Sequence, residues 1–283
     1  MARSHKPIEH DAVSQNYGTG QVLDRIQAGL QQLGKSPGSV TIEDLAAVDE
    51  FHIGGRQASE DLLAQLGLSA ADRVLDIGCG LGGTARLLAS RYRCRVSGVD
   101  RTAEYVATAS ALCAWTGLSG QAEFCQADAS RLPFGADAFD AACMLHVGMN
   151  IDDKAALWSE VHRVLRSGAR FGIYDVMRIA EGSLAYPVPW AADAAASHLH
   201  SPQAYRQTLQ ECGFSVVAER NRRDFALAFF SRMRAQLAAA GGPPALGLHL
   251  LMGASTGARM QNIISGVSAG LVAPVEFIVQ KRR

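Results

Sequence analysis

The sequence has no excess of either charge and few charged residues altogether. Lysine and arginine number 27, and aspartate and glutamate also number 27, so the formal net charge is zero. Charged residues make up 19% of the chain, below the roughly 25% of an average globular protein. A protein that binds nucleic-acid phosphates usually carries a basic excess, and a disordered chain usually has few apolar residues. The balance therefore argues against a nucleic-acid partner and against disorder.

Long apolar runs and closely paired cysteines are also missing. The most apolar stretch, residues 237–252, is interrupted by two glycines and two prolines, so it does not predict a membrane-spanning helix. Residues 1–16 are polar and lack the apolar core of a secretory leader. None of the six cysteines stands in a CxxC spacing, which predicts reduced thiols and no metal site. We therefore expect a cytoplasmic protein without a membrane partner.

What the sequence does contain is enough apolar material for an α/β core. Hydrophobic residues make up 48% of its 283 residues, and a chain of this length can bury a core without disulfides. From residue 73 onward, short apolar runs alternate with helical patterns, which favours a doubly wound, mostly parallel sheet of seven strands. The predicted strands are 73–77, 95–99, 122–126, 138–145, 170–176, 215–220 and 275–280.

The same patterns divide the chain into three parts. Residues 1–70 predict a helical prelude, in which Thr41 caps a helix and Asp44 stands three positions on. Residues 71–180 predict an α/β core that binds a cofactor. Residues 181–283 predict the rest of the sheet with lid insertions at about 181–200 and 224–270, where one helix is expected over 246–268.

A glycine-rich segment, VLDIGCGLGG at 74–83, follows the first predicted strand. Glycine lets the backbone turn tightly and lets a ligand approach the main chain. Asp100 ends the second strand, where a doubly wound sheet places a carboxylate against ribose hydroxyls, so a nicotinamide-dependent oxidoreductase is one interpretation. Asp76 argues against it, because this carboxylate would face a dinucleotide's pyrophosphate. It suits a ligand that is cationic at that point.

Four segments, taken in order, resemble class I S-adenosylmethionine-dependent methyltransferases. They are the glycine-rich segment, GVD at 98–100, QADASRLPF at 126–134, and FDAACMLHV at 139–147 followed by EVHRVLRSGA at 160–169. The resemblance implies S-adenosylmethionine as cofactor and S-adenosylhomocysteine as product. It assigns the methionine end to Asp76, the ribose to Asp100 and the adenine amino group to Asp128. The full implied set of cofactor contacts is Tyr17, Asp76, Gly78, Gly80, Asp100, Arg101, Asp128, Ala129 and Leu145.

Three further segments resemble methyltransferases that act on small molecules. NYG at 16–18 and DEFHIGG at 49–55 are similar to N-terminal segments of glycine, sarcosine, dimethylglycine, sterol and tocopherol methyltransferases, and 223–237 is similar to their lid helix. The resemblance implies that prelude and lid close over cofactor and substrate and exclude water. The Asn/Asp-Pro-Pro-aromatic signature of nucleic-acid amino-methyltransferases and the paired glutamates of arginine methyltransferases are absent. A small-molecule acceptor is therefore expected.

The carboxyl end of the fourth strand supplies candidates for the substrate site, because ligands sit at that edge of open α/β sheets. His146 can accept a proton or orient the acceptor, and Asn150 can hydrogen-bond a carbonyl or carboxylate. His52 is a third candidate, and Tyr186 and Trp190 can form an aromatic wall beside a developing cation. A structural role, in packing or as a cap, is the alternative for each of the five.

The sequence thus predicts an enzyme that transfers the methyl group of S-adenosylmethionine to a small molecule by in-line displacement under a closing lid. An amine nitrogen is the first choice of acceptor, by resemblance to the glycine-type enzymes. Carbon, oxygen and sulfur acceptors stay open, as do a nicotinamide-dependent oxidoreductase and a non-catalytic cofactor-binding protein on the same fold. Neither the acceptor nor the oligomeric state, homodimer or otherwise, can be read from the sequence.

Overall fold

The computed structural model describes residues 20–283. Tyr17, which the resemblance assigns to the cofactor, lies outside the described residues. The described residues form a single seven-stranded sheet in the order β3-β2-β1-β4-β5-β7-β6. Its strands are β1 (Arg73–Ile77), β2 (Arg95–Asp100), β3 (Ala122–Gln126), β4 (Phe139–Leu145), β5 (Leu165–Arg178), β6 (Phe214–Asn221) and β7 (Val272–Lys281).

The sheet is mostly parallel, as the alternating pattern predicts. Strands β3, β2, β1, β4 and β5 run parallel, while β7 is antiparallel to both β5 and β6. The carboxyl ends of β1, β2, β3 and β4 therefore meet at one edge of the sheet. This confirms the predicted fold class and places the glycine-rich segment, Asp100 and His146 at that edge.

Helices precede the sheet and cover both of its faces. Three stand before β1: α1 (Val22–Gln32), α2 (Ile42–Asp49) and α3 (Gly55–Leu63). Those between or after the central strands are α4 (Gly83–Leu87), α5 (Ala103–Trp115), α6 (Lys154–Val164) and α7 (Pro202–Glu211). Three more lie between β6 and β7: α8 (Arg223–Ala240), α9 (His249–Met252) and α10 (Thr256–Ser268).

Local sequence accounts for where several helices begin and end. Thr41 and Asp44 form the predicted capping box at the start of α2, since Thr41 Oγ1 accepts the Asp44 amide and the Asp44 carboxylate accepts the Thr41 amide. The prediction of one continuous helix over 246–268 is wrong. Gly253 adopts φ 58° and ψ −142°, a backbone conformation that residues with a Cβ strongly disfavour. The helix therefore breaks at Gly253 into α9 and α10.

Two apolar clusters pack on the opposite faces of the sheet. One contains Trp158 and Phe171 beneath α6 and α7, and the other contains Leu62 and Leu88 beneath α3 and α4. Such burial of large apolar side chains on both faces is what holds a parallel sheet together. No helix within residues 20–283 has the length and apolar character needed to cross a membrane.

Two further apolar clusters flank the ligand edge of the sheet. Beneath α8 and α10, Phe230 and Ile263 pack against β7, and Phe229 and Met233 of α8 join this cluster. Beneath α1 and α2, Ile26 packs against α5. These clusters hold the elements on either side of the cavity that forms at the carboxyl ends of the strands.

Candidate active site

A cavity opens at the carboxyl ends of β1, β2, β3 and β4, between the sheet and the segment that follows α2. It collects most of the residues that the sequence assigns to cofactor and substrate. The predicted residues that line it are His52, Asp76, Gly78, Gly80, Asp100, Arg101, Asp128, Ala129, Leu145, His146 and Asn150.

The glycine-rich segment takes a left-handed conformation that favours glycine, and its close contacts leave no room for a side chain. Gly78 and Gly80 have φ of 67° and 53°, in the left-handed region. A Cβ on Gly78 would overlap the Val147 side chain, and one on Gly80 would lie 3.0 Å from the Phe51 ring. The Gly80 amide donates to Asp100 Oδ2 at 3.0 Å, which fastens the segment to the end of β2.

Asp76 is buried below the glycine-rich segment and only partly satisfied. The Cys143 thiol donates to Asp76 Oδ1 at 3.6 Å, and Asp76 Oδ2 has no hydrogen-bond partner among residues 20–283. Burial raises the pKa of Asp76 to about 7. A cationic ligand group at this position would supply the missing partner and stabilise the ionised carboxylate. S-Adenosylmethionine, with its ammonium and sulfonium groups, fits this requirement.

Asp100 and Asp128 stand at the ends of β2 and β3 and are held differently. Both oxygens of Asp100 accept backbone amides, from Gly80 and from Thr102 at 2.8 Å, although burial raises the pKa of Asp100. Asp128 lies nearer the surface, where its carboxylate accepts the Ser130 amide at 2.8 Å and pairs with Arg101 at 3.3 Å. The hydrogen bonds hold both carboxylates in fixed orientations.

His146 follows β4 with φ of 57°, a left-handed conformation that is unusual for histidine. Its amide donates to the Tyr174 carbonyl at 2.7 Å, and its ring stacks on the Tyr174 ring with centroids 5.3 Å apart. Its Nε2 is buried and has no hydrogen-bond partner in the described part of the chain. Burial lowers the pKa of His146 well below its usual range, so the imidazole is neutral at physiological pH.

His52 approaches His146 from the prelude side, with ring centroids 5.8 Å apart. Its Nε2 lies 3.1 Å from both the Gly55 carbonyl and Ser59 Oγ, and Ser59 donates to Glu50 at 2.6 Å. Burial lowers the pKa of His52 as well. Two neutral imidazoles therefore stand side by side in the cavity wall.

Asn150 completes the turn after β4. Its backbone amide donates to the Val147 carbonyl at 2.9 Å, and its side-chain amide donates to the same carbonyl at 3.3 Å. The side chain thus caps its own turn, as the structural alternative predicts, while the residue also lines the cavity.

The structure does not bring Tyr186 and Trp190 to this cavity. The Trp190 ring is buried in the cluster beneath α8 and α10, where its Nε1 donates to Ser197 Oγ at 3.0 Å, and Tyr186 packs against the same cluster. Asn262 of α10 donates to the Pro187 carbonyl at 2.9 Å and holds this segment away from the sheet edge. The aromatic wall predicted from these two residues is therefore not formed by them.

Sequence reasoning also missed residues that do line the cavity. Asp49 and Phe51 arrive from the prelude, while Thr84 and Tyr105 arrive from α4 and α5. Asp49 pairs with Arg86 of α4, and both side chains are almost wholly buried. An arginine within the apolar start of a helix was the available signal, because a buried arginine requires an acidic partner.

Residues 74–168 match the family model described as "Methyltransferase domain". Within this segment the glycine-rich turn follows β1 and the sheet is mostly parallel, as read from the sequence. This segment is a class I S-adenosylmethionine-dependent methyltransferase domain. The resemblance stated from the sequence motifs is confirmed, and with it S-adenosylmethionine as the cofactor of this methyltransferase domain.

Two curated relatives illustrate the similarity. Sterol 24-C-methyltransferase erg-4 of Neurospora crassa is 32% identical over 114 residues, which cover 40% of this chain and 30% of the relative. Phosphoethanolamine N-methyltransferase 1 of Arabidopsis thaliana is 28% identical over 207 residues, which cover 73% of this chain and 40% of the relative. The chain thus spans less than half the length of either relative.

Among solved structures, a geranyl diphosphate C-methyltransferase from Streptomyces coelicolor A3(2) superposes with a TM-score of 0.70 at 18% identity. That structure holds Mg²⁺, geranyl-S-thiolodiphosphate and S-adenosyl-L-homocysteine, and the match covers 99% of this chain and 100% of the other. At 18% identity the likeness concerns the fold alone. The two chains share that fold over the methyltransferase domain and its flanking helices.

Proposed function

We propose that this chain transfers the methyl group of S-adenosylmethionine to a small-molecule acceptor, with an amine nitrogen as the acceptor atom. The observation that carries the proposal is one cavity with two unsatisfied groups. Asp76 Oδ2 lacks a cationic partner among the described residues, and His146 Nε2 lacks a donor there. The first suits the cofactor and the second suits a substrate N–H.

Three acidic residues, two glycines and one backbone amide serve the cofactor in this proposal. Asp76 takes the ammonium end, with the backbone of Gly78 and Gly80 beside it. Asp100 accepts the ribose hydroxyls, because each of its oxygens keeps a lone pair besides the one used by a backbone amide. Asp128 and the Ala129 amide take the adenine edge. When bound, S-adenosylmethionine supplies a methyl group on a positively charged sulfur. An acceptor lone pair would attack the methyl carbon in line and displace the sulfur.

The acceptor end of the cavity favours an amine over an anionic substrate. His52, His146 and Asn150 line it, and burial keeps both imidazoles neutral. Among the described lining residues Arg101 is the one permanent cation, and it pairs with Asp128 at 3.3 Å. A phosphate or carboxylate would thus be desolvated without a countercharge, whereas an uncharged amine can donate its N–H to His146 Nε2.

The protein's contribution to the reaction is alignment and exclusion of water. By accepting one N–H, His146 Nε2 leaves the amine lone pair free and turned away from the ring. Asp49, Phe51 and His52 close the cavity from the prelude side, which removes water from a reaction that moves charge off sulfur. Alignment of this kind contributes on the order of several kcal/mol to a displacement.

Calorimetry and methyl transfer test this function separately. We expect S-adenosylhomocysteine to bind in the micromolar range and NAD⁺ not to bind. Transfer from methyl-labelled S-adenosylmethionine is then measured against matched panels of small amines, phenols, thiols and carbon nucleophiles. Transfer to amines supports the proposal, transfer only to another panel overturns the choice of acceptor atom, and absence of S-adenosylhomocysteine binding overturns the function itself.

A further inference from the structure

Asp49 ends α2 and lines the same cavity as Asp76, although the two carboxylates come from separate parts of the chain. The side chain of Asp49 is 1% exposed. Arg86 Nη2 donates to its Oδ2, whereas its Oδ1 is buried and has no hydrogen-bond partner within residues 20–283. Asp49 and Asp76 thus each keep one unsatisfied oxygen beside the cavity.

Arg86 fixes the orientation of Asp49. This arginine lies in α4, directly after the glycine-rich segment, and is fully buried. Its Nη1 donates to the Leu81 carbonyl at 2.9 Å, so one guanidinium joins the glycine-rich segment to the prelude. Gly83 permits the approach, because a Cβ there would lie 2.8 Å from Asp49 Oδ1. The free oxygen of Asp49 is therefore held against the start of α4.

The charges around the two carboxylates do not balance. Arg86 pairs with Asp49, and Arg56 Nε donates to Glu50 at 2.8 Å. Asp76 has the Cys143 thiol as its one hydrogen-bond donor among the described side chains. When Asp49, Glu50 and Asp76 are ionised, the two arginines leave one negative charge uncompensated in a buried place, and Asp100, whose carboxylate accepts backbone amides, adds another beside it. A cationic ligand group would reduce this excess of negative charge.

We propose that Asp49 is a second acceptor for the ammonium group of the cofactor, acting together with Asp76. The proposal rests on the proposed cofactor site and adds to it a residue from the prelude. An ammonium group has three donors, so it can donate to one free oxygen of each carboxylate. Because Asp49 belongs to α2 and Asp76 to β1, binding of the cofactor would fasten the prelude to the glycine-rich segment.

A ligand without the ammonium group separates this role from a structural one. S-Adenosylhomocysteine carries the amino-acid end, and 5′-methylthioadenosine is the same thioether nucleoside without it. By calorimetry, we expect Asp49→Asn to weaken S-adenosylhomocysteine binding about tenfold, as for the loss of one charge-assisted hydrogen bond. Binding of 5′-methylthioadenosine should stay within about twofold of the wild type. Glu43→Gln makes the same charge change on the exposed side of α2 and should alter neither affinity.

Asp49→Asn leaves Arg86 buried without its carboxylate partner, which can destabilise the protein. A second variant therefore removes both partners. Asp49→Ala/Arg86→Met removes the buried pair together and should show the same selective loss. Hydrogen exchange gives an independent readout: S-adenosylhomocysteine should protect the amides of α2 in the wild type and not in Asp49→Asn. Unchanged affinity, or an equal loss for both ligands, overturns the proposal. If the wild type binds neither ligand, the proposed function fails instead.

Discussion

Both carboxylate oxygens of Asp175 accept the backbone amide of Gly148, at 3.2 and 3.1 Å. Asp175 also accepts the Val147 amide at 2.8 Å and the Tyr205 hydroxyl at 3.0 Å. A buried side chain near the end of β5 therefore holds the turn that follows β4. Because His146 immediately precedes that turn and has a left-handed backbone, Asp175 sets the direction in which the imidazole points.

Replacement of Gly148 by alanine should disturb this arrangement. A Cβ there would overlap Asp175 Oδ2 and lie 2.6 Å from the Tyr205 hydroxyl oxygen, and both groups are buried. We expect Gly148→Ala to lower the free energy of unfolding by about 1–3 kcal/mol, measured by urea denaturation, and to reduce methyl transfer. Gly257→Ala, at an exposed glycine of α10 with open space around it, is the matched control and should not destabilise the protein. Equal stability of the two variants would contradict this account of the turn.

Cofactor affinity should rise with pH through the neutral range. Burial raises the pKa of Asp76 to about 7, so without ligand this carboxyl is mostly protonated at pH 6. A cationic ligand favours the ionised form, and binding at pH 6 must then release protons, whereas at pH 8 it need not. Glu50 and Asp100 face Asp76 and raise its pKa further, and Asp49 has a pKa of about 7 as well.

The measurement is calorimetry of S-adenosylhomocysteine at pH 6 in buffers of different ionisation enthalpy. We expect proton release in the wild type, a several-fold gain in affinity from pH 6 to pH 8, and a flatter profile for Asp76→Asn. Proton uptake on binding, or an unchanged profile in that variant, would show that Asp76 does not meet the cationic end of the ligand.

The parts of the site that sequence predicts are those encoded by neighbouring residues. Glycines that follow a strand, and an acid at the end of the next strand, have one position in a doubly wound sheet, so Gly80 and Asp100 meet as expected at 3.0 Å. Asp49 depends instead on Arg86, 37 positions later, and on a helix that packs back over the sheet edge. The apolar setting of Arg86 indicates that a carboxylate partner exists, but no local pattern identifies Asp49 as that partner.

Tyr186 and Trp190, two aromatic residues near prolines, are predicted at the substrate site but pack in an apolar cluster instead. Aromatic side chains in a loop are typical of a substrate pocket, but burial in an apolar core stabilises such large rings equally well. Here α10 binds the loop backbone, and the indole N–H of Trp190 finds Ser197 at 3.0 Å. Composition identifies such residues as buried without indicating which cavity or cluster they enter.

His146 should matter for turnover and not for cofactor binding. His146→Asn is the informative variant, because asparagine tolerates the left-handed backbone and lacks the Nε2 position. We expect S-adenosylhomocysteine affinity within about twofold of the wild type and a fall in kcat on the order of 100-fold, as for loss of a group that aligns the acceptor or takes its proton. Asn150→Ala should give a smaller loss of the same kind. Normal turnover in both variants would mean that the acceptor binds elsewhere.

Trp190→Phe should have the reverse effect, loss of stability without loss of activity. The ring is 3% exposed and packs in the cluster beneath α8 and α10, so the smaller side chain leaves a void and removes the hydrogen bond to Ser197. We expect urea denaturation to show a loss of about 1–2 kcal/mol, while kcat/KM at 25 °C stays within about twofold of the wild type. Tyr186→Phe, which keeps the ring, should change neither quantity. A large change in KM for the acceptor in either variant would return these residues to the substrate site, and would require the loop to move toward the carboxyl edge of the sheet when substrate binds.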